Sequence, residues 1–318
     1  MSKIVNNQLI DNFKEDVDLR EYINLFWANK FPLIAITSIF FLSSVVYALL
    51  LPNIYRSVAY LAPVEGGSQI SGIMSEYSGM ASLAGLSVAQ ETSKNKEAVE
   101  RIKSFHFFSN HFLPFIMLED LLAVKDWDLL TNKLSYDDSE FNSETRKWVR
   151  KAKPPRTAIP SAQEAYKKYK KIMSISVDKK SEYVTLSIDH QSPYIAQQWV
   201  EVILKQIDRL MRDNEKSDAM NSVEYLNAIA PTVNYDAIKK AFSMLQQEQM
   251  KRLMMVEANA NYIFTVLDAP IASEERASPK RTIIVIIGSI IGFILGCIGV
   301  LAHYFYIKPY NQNELSSS

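Results

Sequence analysis

From Ile283 to Ala302 the chain carries no charged side chain, and about 20 apolar residues at ~1.5 Å rise match a hydrocarbon core of ~30 Å. A buried core helix is the soluble alternative, but such helices seldom run this long without a polar face. A second uncharged run extends from Phe31 to Leu51. Signal-peptide cores are shorter, roughly 7–15 residues, and this run lacks a convincing small-x-small cleavage site. The two runs predict membrane helices at 31–51 and 282–307, with both termini on one side.

Charge follows that division. The 318 residues hold 35 Lys+Arg against 35 Asp+Glu, so no global field points to a nucleic-acid partner. About 230 residues lie between the spans, enough for a domain with its own core. The only cysteine, Cys297, falls inside the second span, so no disulfide forms within the loop and the redox compartment stays open. Lys3, Lys14, Arg20 and Lys30 precede the first span, Lys308 follows the second, and Arg276, Lys280 and Arg281 sit on its loop side. That count is weak, but long loops translocate largely regardless of charge. The expected arrangement places both termini in the cytoplasm and the loop outside.

Glycine usage constrains how the loop is built. All nine glycines lie at 66, 67, 72, 79 and 85 or in the last span, and none occurs from Leu86 to Ile287. Few left-handed turns and long helices are expected there. "LPNIYRSVAYLAPVEGG" reads as a strand ending near Pro63, and "GGSQISGIMSEYSGMASLAGLS" as a mobile loop. "SKNKEAVERIKSFHFFSNHFL" reads as helical. Met173, Ile175 and Val177, then Val184, Leu186 and Ile188, alternate around "DKKSE" as a hairpin. Ser192 is placed to cap a helix with Pro193 in its first turn, Pro231 breaks or kinks it, and "NYIFTVLDAP" returns as a strand stopped by Pro270. If the helical arms around Pro231 are antiparallel, each of ~25–37 residues reaches roughly 40–55 Å. The expected fold is an α+β membrane protein. It comprises an N-terminal segment at 1–30, the first span, a loop domain at 52–281, the second span, and a tail at 308–318. Within the loop domain an α/β base occupies about 52–190 and 258–281, and a long extended helical arm about 192–257.

No enzymatic signature declares itself: there is no phosphate loop, dinucleotide fingerprint or H-E-x-x-H, and no cofactor or metal is expected. His106 and His111 are five apart, less suited to one α-helical face than three or four. Asp137 and Asp138 could form a carboxylate pair for glycoside chemistry, which needs two carboxyls across a sugar, but adjacent aspartates in "LSYDDSEFN" read better as a solvated turn. From Arg146 to Lys171 the chain holds ten Lys/Arg against one Glu. This is either a solvated face or a surface for a polyanionic glycan, lipid pyrophosphate or lipid headgroup. Proline at both ends of "PIASEERASP" restricts the joint before the second span. Gly288, Gly292 and Gly296 put a smooth stripe on that span, against which the first span or a neighbouring subunit can pack closely.

"VDLREYINLFWANK", "YRSVAYLAP" and "DAPIASEERASPKRTIIVIIGSIIGFILG" together resemble the Wzz-type polysaccharide co-polymerases, the chain length determinants of bacterial surface polysaccharides. Trp27 and Lys30 match the family's aromatic and basic pair leading into the first span. Pro270, Ser278, Pro279, Lys280, Gly288, Gly292 and Gly296 match its proline-rich approach and glycine-rich second span. A proline usual between Pro270 and Pro279 is Ser273 here. The resemblance implies a bacterial inner-membrane protein with its main domain in the periplasm. It also implies a ring-forming homo-oligomer without enzymatic activity, setting the modal length of an O-antigen-like polymer made by a separate Wzy-type polymerase. An undecaprenyl-linked glycan and membrane lipid are the further partners considered. The alternative reading is a two-span membrane sensor or export adaptor with a ligand-binding outer domain. It would need a cytoplasmic output module, for which about thirty residues before the first span and ~11 after the second are too few.

Overall fold

The computed structural model describes residues 26–64, 94–232 and 236–314. The expected glycine-rich loop at 66–87 and most of the N-terminal segment lie outside the described residues. The chain divides into two units, Met1–Leu51 with Pro279–Ser318, and Pro52–Ser278.

The first unit is a pair of apolar helices, α1 (Lys30–Leu50) and α7 (Arg281–Glu314). Their apolar stretches, Lys30–Leu50 and Arg281–Tyr304, have mean hydropathies of 2.3 and 2.8 and leave most of their residues unburied. A soluble core helix would cover those side chains; here Ile290, Phe293 and Ile298 are each more than half exposed, as lipid-facing residues are. Both helices are therefore candidate membrane spans. Three of their hydroxyls bond back to the helix: Thr37 Oγ1 donates to Leu33 O at 2.8 Å, Ser44 Oγ to Phe41 O at 2.8 Å and Ser289 Oγ to Val285 O at 2.7 Å, as suits a medium without water. Helical backbone continues through Glu314, past the boundary at 307 read from the apolar run. Hydropathy marks where apolar side chains end, not where helical hydrogen bonding does.

The second unit is built on a five-stranded antiparallel sheet. β1 (Ile54–Pro63) is its long central strand, paired to β7 (Val184–His190) from Tyr55↔His190 to Leu61↔Val184. β6 (Met173–Val177) forms the expected hairpin with β7, closing at Val177↔Val184. β8 (Phe264–Asp268) lies along the other edge of β1, and β9 (Arg276–Ser278) pairs with the start of β1 through Ile54↔Ser278. Along β1, Ser57, Ala59 and Leu61 are buried while Arg56, Val58 and Tyr60 face out, the two-residue period of a half-covered sheet.

The covering layer is helical: α2 (Lys94–Lys103), short helical turns over 105–115, α4 (Ala162–Ile172) and α5 (Pro193–Ile229). Ser192 caps α5 by accepting from Ile195 N, and Pro193 occupies the first turn, where its missing N–H has no helical partner to lose. Ala196, Trp199, Val200, Ile203 and Ile207 form the buried stripe of α5, which packs on β1 and β7. Phe112 sits at the centre of an aromatic cluster, 5.0 Å from the Tyr169 ring and 5.8 Å from Trp199. Tyr169 is buried but donates to Ile102 O at 3.0 Å, which satisfies its hydroxyl.

α5 has 37 residues, or about 55 Å. α6 (Asp236–Ala258) runs back along it, since Asn227 meets Gln246 while Lys216 meets Glu257. A small α3 (Leu118–Leu122) and two hairpins, β2 (Val124–Asp128) with β3 (Lys133–Tyr136) and β4 (Phe141–Asn142) with β5 (Lys147–Trp148), fill the segment between the aromatic turns and α4. Asn132, Arg146 and Glu182 have φ of 50°, 51° and 57°. Each lies in the link of a hairpin, so the glycine-free region makes its left-handed turns with side-chain-bearing residues.

Candidate functional site

The glycine stripe on α7 faces the first span within the same protomer. A Cβ on Gly288 would come within 2.5 Å of Ser44 Cβ, one on Gly292 within 2.6 Å of Phe40 Cβ, and one on Gly296 within 2.8 Å of Leu33 Cδ1. Rising numbers on one helix meet falling numbers on the other, so the spans run antiparallel at close range. Gly299 lies off this seam, its nearest neighbour being Ile36 Cδ1 at 3.9 Å. At the start of α1, Lys30 Nζ lies 5.9 Å from the Trp27 ring centroid and 5.7 Å from that of Phe31, while Trp27 itself is 70% exposed. An exposed indole beside a lysine suits a membrane–water interface.

The segment before the second span is held at both ends. Pro270 is buried. Ser273, standing where the resemblance leads one to expect proline, donates from Oγ to Glu275 O at 2.8 Å, a local bond that closes a turn without fixing φ. Arg276 and Ser278 then join the sheet through β9, a pairing that three residues of mixed polarity do not announce. The chain passes from one unit to the other at Ser278–Pro279, where proline fixes its own φ and biases the preceding residue to extended backbone. Lys280 O then accepts from Ile283 N and Ile284 N in the first turn of α7.

The basic run divides by role. Arg146 pairs with Glu119 at 2.8 Å. Arg150 pairs with Glu164 at 2.6 Å and donates to Ala158 O and Thr157 O, so its charge stitches the loop before α4 to that helix. Its guanidinium holds the Glu164 carboxyl below the usual range. Lys168 and Lys171 have no ion pair or hydrogen bond among the described residues, and they lie three apart on α4.

Asp137 accepts from Ser139 N at 2.9 Å and from Ser139 Oγ at 2.7 Å, the hydrogen bonds of a polar turn. Those bonds lower its pKa. The histidine spacing works differently from the α-helical expectation. Residues 108–112 form a π-helical turn in which Leu113 N bonds Phe108 O, so residues five apart become neighbours, and the His106 and His111 rings lie 6.0 Å apart. Among the described residues no group of three or more His, Cys, Asp or Glu is placed to hold a metal ion.

His190, at the end of β7, carried no signal in the sequence. Its Nδ1 accepts from Ser192 N at 3.0 Å and its Nε2 lies 2.9 Å from Asp120 O, so the neutral ring carries its proton on Nε2 and donates it there. The ring packs edge-on against Trp199 at 4.9 Å. Burial, opposed only in part by those two backbone bonds, pushes its pKa from 6.5 down to about 4. An unfolded imidazole takes a proton near pH 6.5, whereas the folded one takes it only near 4. Stability from this group is intact above pH 6.5, falls as the pH drops through the window down to about 4, and changes no further below it. The expected loss is about 3 kcal/mol. Thermal unfolding of the detergent-solubilised protein across that window should show it, and His190→Gln, which does not titrate, should flatten that part of the profile.

Comparison with known families matches residues 15–108 to the model of Wzz, chain length determinant protein. Comparison with curated proteins gives no match. Among solved structures, a full-length bacterial polysaccharide co-polymerase is 13% identical, with 92% of this chain and 99% of that chain covered and a TM-score of 0.37. A fragment of WzzB, a polysaccharide co-polymerase from Salmonella Typhimurium, is 11% identical, with 71% and 100% covered and a TM-score of 0.29. The matched segment holds Trp27, Lys30, the first span, β1 and α2; the Ser278-Pro279-Lys280 joint and the glycine stripe lie outside it. Through residues 15–108 the chain is similar to the Wzz chain length determinant family.

Proposed function

We propose that this protein is an oligomeric, non-catalytic co-polymerase that sets the modal length of an O-antigen-like surface polysaccharide assembled by a separate Wzy-type polymerase. The match of residues 15–108 to the chain length determinant family carries this reading, and two candidate spans around one large unit agree with it. On this account both helices cross the bacterial inner membrane, residues 52–281 lie in the periplasm, and both termini are cytoplasmic. Copies of the chain assemble into a ring, and the polymerase reads the geometry that the ring presents.

Because the passage between the two units falls at Ser278–Pro279, freeing that joint should alter length control without touching bond formation. In a strain carrying Pro279→Ala, a gel of extracted surface polysaccharide should show a shifted or broadened size class. Asp137→Asn combined with Asp138→Asn should leave the size class as it was. Loss of size control in the double asparagine variant, with folding and assembly intact, would favour a carboxylate enzyme instead.

A further inference from the structure

A cavity of about 200 Å³ opens in the second unit beside the end of β7, large enough for several water molecules. Ile54, Leu121 and Ile172 supply its apolar lining, and Lys168, Lys171 and Ser278 are among its polar residues. The other ionisable groups there are already committed. Arg56 Nε and Nη2 hold the two Asp189 carboxylate oxygens at 2.6 and 2.7 Å, which neutralises that acid. Both His190 nitrogens are engaged by backbone, so the ring forms an uncharged wall. What remains is two ammonium groups on one helix face, without an anionic partner among the described residues, beside a pocket of mixed polarity. We propose that this cavity binds a phosphate-type oxyanion between Lys168 and Lys171, with Ser278 at its edge. An oxyanion of two or more charges would take hydrogen bonds from both ammonium groups and relieve their mutual repulsion. Burial, followed by the proximity of Lys171, lowers the Lys168 pKa, which agrees with a cation waiting for a counter-charge. Free phosphate, a sugar phosphate and a lipid phosphate share this chemistry. The assignment does not depend on the protein's role in length control.

The test uses the full chain in an uncharged detergent and a short pulse of an amine-reactive N-hydroxysuccinimide ester, with mass-spectrometric readout at each lysine. Saturating inorganic phosphate, against chloride at equal ionic strength, should slow modification of Lys168 and Lys171 by about tenfold, the protection expected of charge-assisted bonds. Lys151 and Lys153, exposed in the same basic run, should be unaffected. In nanodiscs without free phosphate, protection by phosphatidic acid, a phosphomonoester, but not by phosphatidylcholine would identify a lipid headgroup as the source. Protection that appears only when phosphate is added would identify a soluble one. Lys168→Gln should abolish protection at Lys171, and Lys171→Gln should abolish it at Lys168. The proposal is overturned by no protection in either medium, by equal protection at Lys151 and Lys153, or by protection that survives both substitutions.

Discussion

Gly292→Leu should prise the two spans apart and lower the stability of the detergent-solubilised protein by about 2 kcal/mol or more. The reason is steric. A Cβ at this position would stand 2.6 Å from Phe40 Cβ and 3.3 Å from Thr37 Cα, and neither is the far end of a flexible side chain, so the helix axes themselves must move. Gly299→Leu serves as the control, because its nearest neighbour is 3.9 Å away and the added side chain can extend into lipid. Phe40→Gly removes the opposing Cβ and should recover part of the loss at Gly292, a coupling that a double-mutant cycle on thermal stability will report. Equal tolerance of leucine at 292 and 299 would mean that the stripe is not a packed seam.

Arg212→Met should detach the end of α6 from α5. The Arg212 guanidinium donates to Val256 O, to Asn259 O at 2.8 Å and to Ala260 O at 3.1 Å, and it pairs with Asp208 at 2.7 Å. Asp208 Oδ1 in turn accepts from Tyr262 N at 2.8 Å and Ile263 N at 3.2 Å. One ion pair on α5 thus satisfies a carbonyl in the last turn of α6, two carbonyls just past its end and the first amides leading into β8, where no glycine closes the helix. Removing the cation leaves a half-buried carboxylate and several carbonyls without their partner, at a cost of about 2–3 kcal/mol after allowing for partial exposure. Hydrogen exchange across 256–264 should accelerate in step with that loss. Arg212→Lys should restore only a fraction, because a single ammonium cannot reach three carbonyls and a carboxylate at once. Exchange unchanged from the parent protein would show that the junction is held by something else.

The parts of the fold that could be read from the chain were those with a period. Two uncharged runs, the alternation at 173–188 and the stripe beginning at Ile195 each repeat a spacing that a bilayer, a sheet or a helix imposes. Ser192-Pro193 could be read because capping is local. The hairpins of 124–148 could not: their strands are two to five residues long, and their left-handed positions are filled by Asn132 and Arg146 instead of glycine. The turn at 108–112 was hidden for another reason, since π-helical geometry brings His106 and His111 together against the α-helical rule. The basic run shows how tertiary partners decide what composition cannot. Arg146 and Arg150 find acids 27 and 14 residues away, whereas Lys168 and Lys171 do not. His190 had no neighbouring motif, and only the fold sets its ring against Trp199 and Asp120 O. Nor could sequence choose the partner of the Gly288–Gly292–Gly296 stripe, because the spacing permits any close helix. The structure supplies Leu33, Phe40 and Ser44 as its neighbours.

Length control itself is tested most directly by deleting the protein from its own host and measuring the size distribution of the extracted surface polysaccharide by gel. A regulator that decides when a separate polymerase stops is not required for forming bonds. The account therefore predicts polymer still present but without a preferred length, and one dominant size class regained when the chain is restored. Complete loss of polymer on deletion, or a size distribution that is the same with and without the protein, would contradict it.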